Sequence, residues 1–328
     1  MTRRVVTIAF ALVAAVALVG TAQAGSTFQI GDVFVAIGGG QVEEFTPTGT
    51  PVQILDDTTG SITTGMAFDS SGNLYVTNFS VGSVSQFNVN GSLMNKNFIT
   101  GQTNPESISF AYSTGTGGHF PMLVGDAGRN TISQYGSSGG SSPTTWTVNI
   151  QNRGTDWVDL QTDNHTVYYT SEGSSILSYD ISGSGHQNAN FFDGLPGGAA
   201  FALRTVLSGA FAGDVLVADS SAALLVNSSG IVKTYTLPGN GGGDFSLNLD
   251  PTGTAFWTGD FATGEVWEVN IATGNILEQW NSGSGSMYGI TVFGESGQGG
   301  STPEPASLLL LGTGIVGIVT KLKFRKRG

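Results

Sequence analysis

Between residues 25 and 295 the apolar positions come in short bursts that alternate with polar ones, and each burst ends in a cluster of Gly, Ser, Asn, Asp or Pro. Alternation at period two is what a strand with one buried face requires, and the breakers between bursts are turn formers. No convincing helical period occurs in this body. The bursts themselves recur. "NLYVTNFSVGSVSQFNVNG" from Asn73, "PMLVGDAGRNTISQYGSSG" from Pro121, "TVYYTSEGSSILSYDISG" from Thr166, "DVLVADSSAALLVNSSG" from Asp214 and "TAFWTGDFATGEVWEVNIATG" from Thr254 share one layout. "DVFVAIGGGQVEEFTPTG" from Asp32 is a sixth copy. Each joins a β-branched or aromatic strand to an alternating strand through a small polar turn, which is a hairpin pattern.

Another extended piece precedes most copies ("GMAF", "SISF", "WVDL", "FSLNL"), followed by a turn such as "DSSGN" at 69–73 or "DPTGT" at 250–254. A further extended piece, such as "SLMNKNFI", "TTWTVNI" or "IVKTYTL", comes after each copy. Four strands every 41 to 48 residues is the rhythm of a β-propeller blade, whose faces need neighbours to cover them. The prediction is an all-β, six-bladed β-propeller over residues 25–295. Its sixth blade combines the orphan strand in "SMYGITVFGE" at 286–295 with the N-terminal hairpin, so strands from both ends close the ring and remove an exposed edge. An array of β-sandwiches is the other arrangement such strands can build.

Both ends of the chain depart from this pattern. Arg3 and Arg4 precede the apolar run "VVTIAFALVAAVALVG", and "AQA" at 22–24 is a small-x-small cleavage site, the anatomy of a secretory signal peptide over residues 1–24. A Gly/Ser/Thr linker at 296–302 leads to Pro303, Glu304 and Pro305. Ala306 to Thr320 carries no charge, and as a transmembrane helix it would span about 22 Å. That is short of a hydrocarbon core of about 30 Å. Leu322 and Phe324 extend the apolar surface, and Lys321 and Lys323 can snorkel outward. Lys321, Lys323, Arg325, Lys326 and Arg327 then hold the end in the cytoplasm by the positive-inside rule.

The Pro-Glu-Pro element, the short apolar run and the basic terminus together resemble the PEP-CTERM sorting signal of Gram-negative bacteria. The resemblance covers residues 303–328 and implies an exosortase-type membrane protease as partner. It also implies transit through the inner membrane, then the cell surface or an extracellular matrix containing exopolysaccharide. The repeats, through Tyr75-Val76-Thr77-Asn78, Leu216-Val217-Ala218-Asp219 and Phe256-Trp257-Thr258-Gly259-Asp260, are similar to NHL and gluconolactonase-like propellers.

Charge sharpens the picture once the two terminal segments are set aside. The body keeps five basic residues (Lys96, Arg129, Arg153, Arg204 and Lys233) against 23 acidic ones, a formal charge of −18. Such a surface repels phosphate backbones and argues against nucleic acid as a partner. The chain has no cysteine, so thiol chemistry and disulfides are excluded.

At the end of the second strand the aligned copies place Asn78, Asp126, Glu172, Asp219 and Asp260 at one position, with Ile37 in the sixth. In a closed ring these side chains fall around one channel mouth. Oxygen ligands without sulfur suit a hard cation such as Ca²⁺, with Asp126, Asp219 and Asp260 as its ligands. Glu106, Asp156 and Asp244, at the starts of first strands, extend the set. The competing role for each is to cap a turn by accepting backbone N–H groups. His119, His165 and His186 show no metal-ligand spacing, and no nucleophile elbow is present. The five tryptophans sit mostly within strands, where packing between blades is expected; at a channel mouth one of them would stack on a sugar ring. Two functions therefore remain open: a non-catalytic binding or scaffold protein, and a metal-dependent lactonase-like hydrolase with its site at the channel mouth.

Overall fold

A computed structural model describes residues 25–112, 119–220, 222–241 and 243–296; the leader, the sorting tail and all but the first linker residue lie outside these. Six sheets stand around a common axis, each antiparallel and ordered from the axis outward. Blade 1 is Gly289–Val292, Val33–Gly38, Gln41–Phe45 and Pro51–Asp56. Blade 2 runs Thr63–Phe68, Leu74–Asn78, Ser83–Phe87 and Leu93–Ile99. Blade 3 follows with Pro105–Ala111, His119–Asp126, Thr131–Tyr135 and Thr144–Thr147. Blade 5 is Ala200–Thr205, Val215–Asp219, Ala222–Asn227 and Gly230–Tyr235, and blade 6 is Asp244–Leu249, Ala255–Asp260, Glu265–Asn270 and Ile276–Asn281. The ring closes as expected: Val33 pairs with Val292 and Ala36 with Gly289.

Blade 4 departs from the plan. Its first three strands, Val158–Leu160, Thr166–Tyr169 and Ser175–Asp180, are regular. Its outer edge is two fragments, His186–Gln187 and Phe192–Asp193, both paired with the third strand. The sequence there, "GSGHQNANFFD", has little alternation. Gly185 has φ 74°, and a Cβ on it would lie 2.5 Å from Cδ1 of Trp146, so the turn hugs the neighbouring blade where no side chain fits.

The core lies between blades. Trp157, Trp257 and Trp267 are fully buried there, with Phe34, Phe110 and Phe256. Each such phenylalanine contributes about 1.5–3 kcal/mol by leaving water. Around the axis, small hydroxyls join adjacent first strands. Ser107 Oγ accepts from Val158 N (3.0 Å) and donates to Asp156 O (2.8 Å), and Ser109 Oγ accepts from Leu160 N (3.0 Å).

The axis is sealed toward the C-terminal ends of the first strands. There Arg204 donates from Nε to Glu295 Oε1 (3.0 Å) and Asn248 Oδ1 (3.3 Å), and Asn248 donates to Thr291 Oγ1 (3.1 Å). Asp159 Oδ2 accepts from the backbone N (2.9 Å) and hydroxyl (2.8 Å) of Thr205. All these groups are buried.

Candidate functional site

The opposite end of the axis, where first strands begin and second strands end, is built on β-bulges. In blade 3, Pro105 faces Asp126 and Ser107 faces Gly125, so Glu106 is the extra residue. In blade 6, Asp244 faces Asp260 and Ser246 faces Gly259, leaving Phe245 extra. The register slips at the same level in blade 2, around Thr64 and Gly65, and in blade 5, around Phe201 and Ala202. A bulge kinks a strand and re-aims a side chain. Repeated in four of the six blades, it sets the chemistry of the mouth blade by blade.

Blades 3 and 4 supply a charged wall. Arg153 bonds through Nη1 to Glu172, stands 3.9 Å from Glu106 through Nη2, and lies over the Phe79 ring with its guanidinium carbon 5.4 Å from the centroid. Glu172 adopts φ 46°, a left-handed conformation uncommon for a residue with a side chain. Glu106 and Asp156 are nearly inaccessible to water, and Glu106 Oε2 and both carboxyl oxygens of Asp156 have no hydrogen-bond partner. Burial pushes both carboxyls above their ordinary range; Arg153 opposes this for each and Glu172 reinforces it, as does the charge of Glu106 on Asp156. Both shifts favour the protonated form of these carboxyls. Outside this wall a groove of about 520 Å³ runs between Ala127, Gly128, Arg129, Ile150, Arg153 and Gly154.

Blades 5, 6 and 1 supply an aromatic crescent. Phe201 meets Phe245 at 4.7 Å between centroids, Phe245 meets Phe261 at 5.9 Å, and Phe261 meets Tyr288 at 5.2 Å. Phe261 is 39% exposed and the other three are half-buried. The tryptophans do not contribute to this crescent: Trp157, Trp257 and Trp267 pack within the body, and Trp280 stacks on Phe45.

The aligned second-strand residues lie at this end too, with most of their polar atoms engaged; the buried Oδ1 of Asn78 has no partner. Asp126 accepts from the backbone N of Thr103 (2.7 Å), Asn104 (2.8 Å) and Gly128 (2.9 Å). Asp219 accepts from Gly197 N (2.6 Å) and Ala199 N (3.3 Å), and burial still raises its pKa despite those amides. Asp260 accepts from Ala262 N (2.7 Å) and Thr263 N (2.9 Å). Asn78 donates to Ser85 Oγ (2.7 Å), and Glu172 is the partner of Arg153. Asp244 is buried beside Thr258, and burial pushes its pKa up to about 7. Among the described residues no three His, Asp or Glu side chains are arranged to hold a metal ion. The lone pairs that Ca²⁺ would use on Asp126, Asp219 and Asp260 face loop N–H groups, so this donor set does not fit a cation as it stands. The histidines lie elsewhere: His119 begins a second strand, at the sealed end; His165 sits in a turn at that end between Asp163 and Asp180; His186 is on the outer edge of blade 4.

Sequence reasoning had noted Glu106 and Asp156 but missed Phe201, Phe245 and Tyr288. The available signal was the shared register of "AFALRT" and "DFSLNL", where a phenylalanine holds the same place in consecutive first strands.

Residues 301–327 match the PEP-CTERM protein-sorting motif. The chain thus carries the signal of an exported protein handed to an exosortase at the membrane. Among the described residues no helix is long and apolar enough to cross a membrane. Comparison with curated protein sequences gives no match. Among solved structures, a chain of the nidogen/laminin complex superposes with a TM-score of 0.61 at 16% identity, covering 80% of this chain and 97% of that one. A catalytically inactive variant of virginiamycin B lyase from Staphylococcus aureus, with quinupristin, gives 0.53 at 11% identity over 75% and 78% of the two chains. A streptogramin B lyase gives 0.53 at 12% over 84% and 87%. At these identities the likeness is one of fold.

Proposed function

We propose that the body is a non-catalytic binding module, held at the envelope by its tail or released into the matrix after processing, and that its mouth takes a polyhydroxylated chain such as an exopolysaccharide. In this reading the leader is removed at residue 24, residues 296–302 are a tether, and residues 306–320 cross the membrane with the basic cluster behind them. The observation that carries the proposal is the uneven mouth, a partly exposed aromatic crescent facing a wall of Arg153, Glu172 and Glu106. A sugar ring has apolar C–H faces, which aromatic rings cover, and hydroxyl edges, which planar charged groups bind in pairs. The charge of −18 on the body disfavours polyanions and points to a neutral polymer.

Titration of the full chain with neutral oligosaccharides of the matrix tests this. Phe245→Ala and Glu172→Gln are expected each to weaken binding at least tenfold, or by about 1.4 kcal/mol, without altering the fold. Unchanged affinity in both variants would reject the mouth as the site. One observation favours hydrolysis instead: Glu106 and Asp156 are buried carboxyls at the mouth whose pKa values burial raises, as a general acid requires. Lactone hydrolysis that is lost in Glu106→Gln would establish that second reading.

A further inference from the structure

We infer that the wheel hangs from the membrane by its sealed face, so that the mouth points away from the bilayer. This rests on the reading of residues 306–320 as a membrane span.

The direction of the closing strand sets the exit point of the tail. Gly289–Val292 is a first strand and runs from the mouth toward the sealed end. Glu295 then enters the buried axial network through Arg204, and Ser296 donates its backbone N to Asp250 O (3.2 Å), in a turn on the sealed face. The N-terminus leaves from the same side. Gln53 bonds Ser26 through both amide atoms (3.1 and 2.8 Å), and Phe28 N donates to Val89 O (2.9 Å), in the turn between the third and fourth strands of blade 2. Phe28 and Phe293, from the two ends of the body, meet at 5.8 Å and share contacts with Phe68. One aromatic knot therefore pins both ends to the sealed face.

The reach of the tether turns this exit point into an orientation. Residues 297–305 number nine. Fully extended they cover about 30 Å, and as a flexible coil about 15–18 Å. A compact body of roughly 270 residues has a radius near 24 Å, so a path from one pole to the other over its surface is about 75 Å. The tether is too short to bring the mouth to the bilayer.

The absence of native cysteine allows a direct test, because a single introduced thiol takes the label. Ala210→Cys lies exposed on the sealed face and Ala262→Cys exposed at the mouth; Ser71→Cys and Ser80→Cys form a second such pair. Each full-length variant is labelled with a fluorophore and reconstituted into vesicles containing lipids spin-labelled at the headgroup. Quenching several-fold greater at 210 and 71 than at 262 and 80 is the expected result. Adding about thirty Gly/Ser residues to the tether should narrow the difference, since the lengthened tether, about 130 Å when extended, can then reach around the body. Equal or reversed quenching in vesicle-bound protein overturns the orientation. Protein that fails to float with the vesicles overturns the anchoring reading, and the orientation with it.

Discussion

The two ends of the axis are made by the same six first strands and finish in opposite ways. At the sealed end the first strands of blades 4, 5, 6 and 1 keep their alternation, and Asp159, Arg204, Asn248 and Thr291 meet inside the ring. At the mouth a bulge interrupts the alternation in blades 2, 3, 5 and 6, and residues of unrelated character take equivalent places: Glu106 in blade 3, Phe201 in blade 5, Phe245 in blade 6. Regular register gathers polar side chains into one buried network, while a repeated irregularity leaves each blade free to vary. Architecture sits where the repeat is kept, and chemistry where it is broken.

The sharpest way to break this comparison is at the sealed end. Arg204→Met leaves Glu295 and Asp159 buried without their cation and is expected to cost about 3–5 kcal/mol in denaturant unfolding. Adding Glu295→Gln to it should restore part of the loss; simple additivity would show that the two do not act as a pair. Next comes the framework of the mouth. Asp126→Ala orphans three backbone N–H groups and should cost about 2–3 kcal/mol, against a near-neutral result if those bonds are replaced by water.

Asp244 gives a smaller, pH-dependent effect. Its folded pKa of about 7 lies above an unfolded value near 4, so folding takes up a proton between those limits. Stability from this group is complete below about pH 4 and falls as pH rises toward 7. Asp244→Asn should therefore stabilise the protein at pH 8 and have little effect at pH 4, checked by thermal unfolding across pH. Smallest of all, Phe261→Ala should change stability by less than about 1 kcal/mol, because its ring is 39% exposed, while weakening ligand binding.

Much of the wheel was legible because alternation and turn residues are local signals. Asn73, Pro121, Thr166, Asp214 and Thr254 each open a hairpin that the structure contains, and the pairing of Val33 with Val292 follows from two orphan strands that need partners. The outer edge of blade 4 was less legible, since Gly183 to Asn190 has no periodicity to follow. The mouth was legible in part. Asp126, Asp219 and Asp260 stand out by repetition, but a carboxylate that caps a loop and one that awaits a ligand look alike in sequence; what separates them is the position of N–H groups from distant loops, such as those of Thr103 and Gly197. Phe201 and Phe245 escaped notice because a bulge adds a residue, and a period-two pattern then assigns the ring to the wrong face.

Hydrogen exchange of the full-length protein, with and without a neutral matrix oligosaccharide, tests most directly whether the broken register is the ligand-facing end. Added protection is predicted at the mouth turns 127–130 and 261–264 and at the starts of the first strands around Glu106 and Phe245, with none at turns 69–73 and 250–254 on the sealed face. Protection confined to the sealed-face turns, or to the outer strands, would contradict the account.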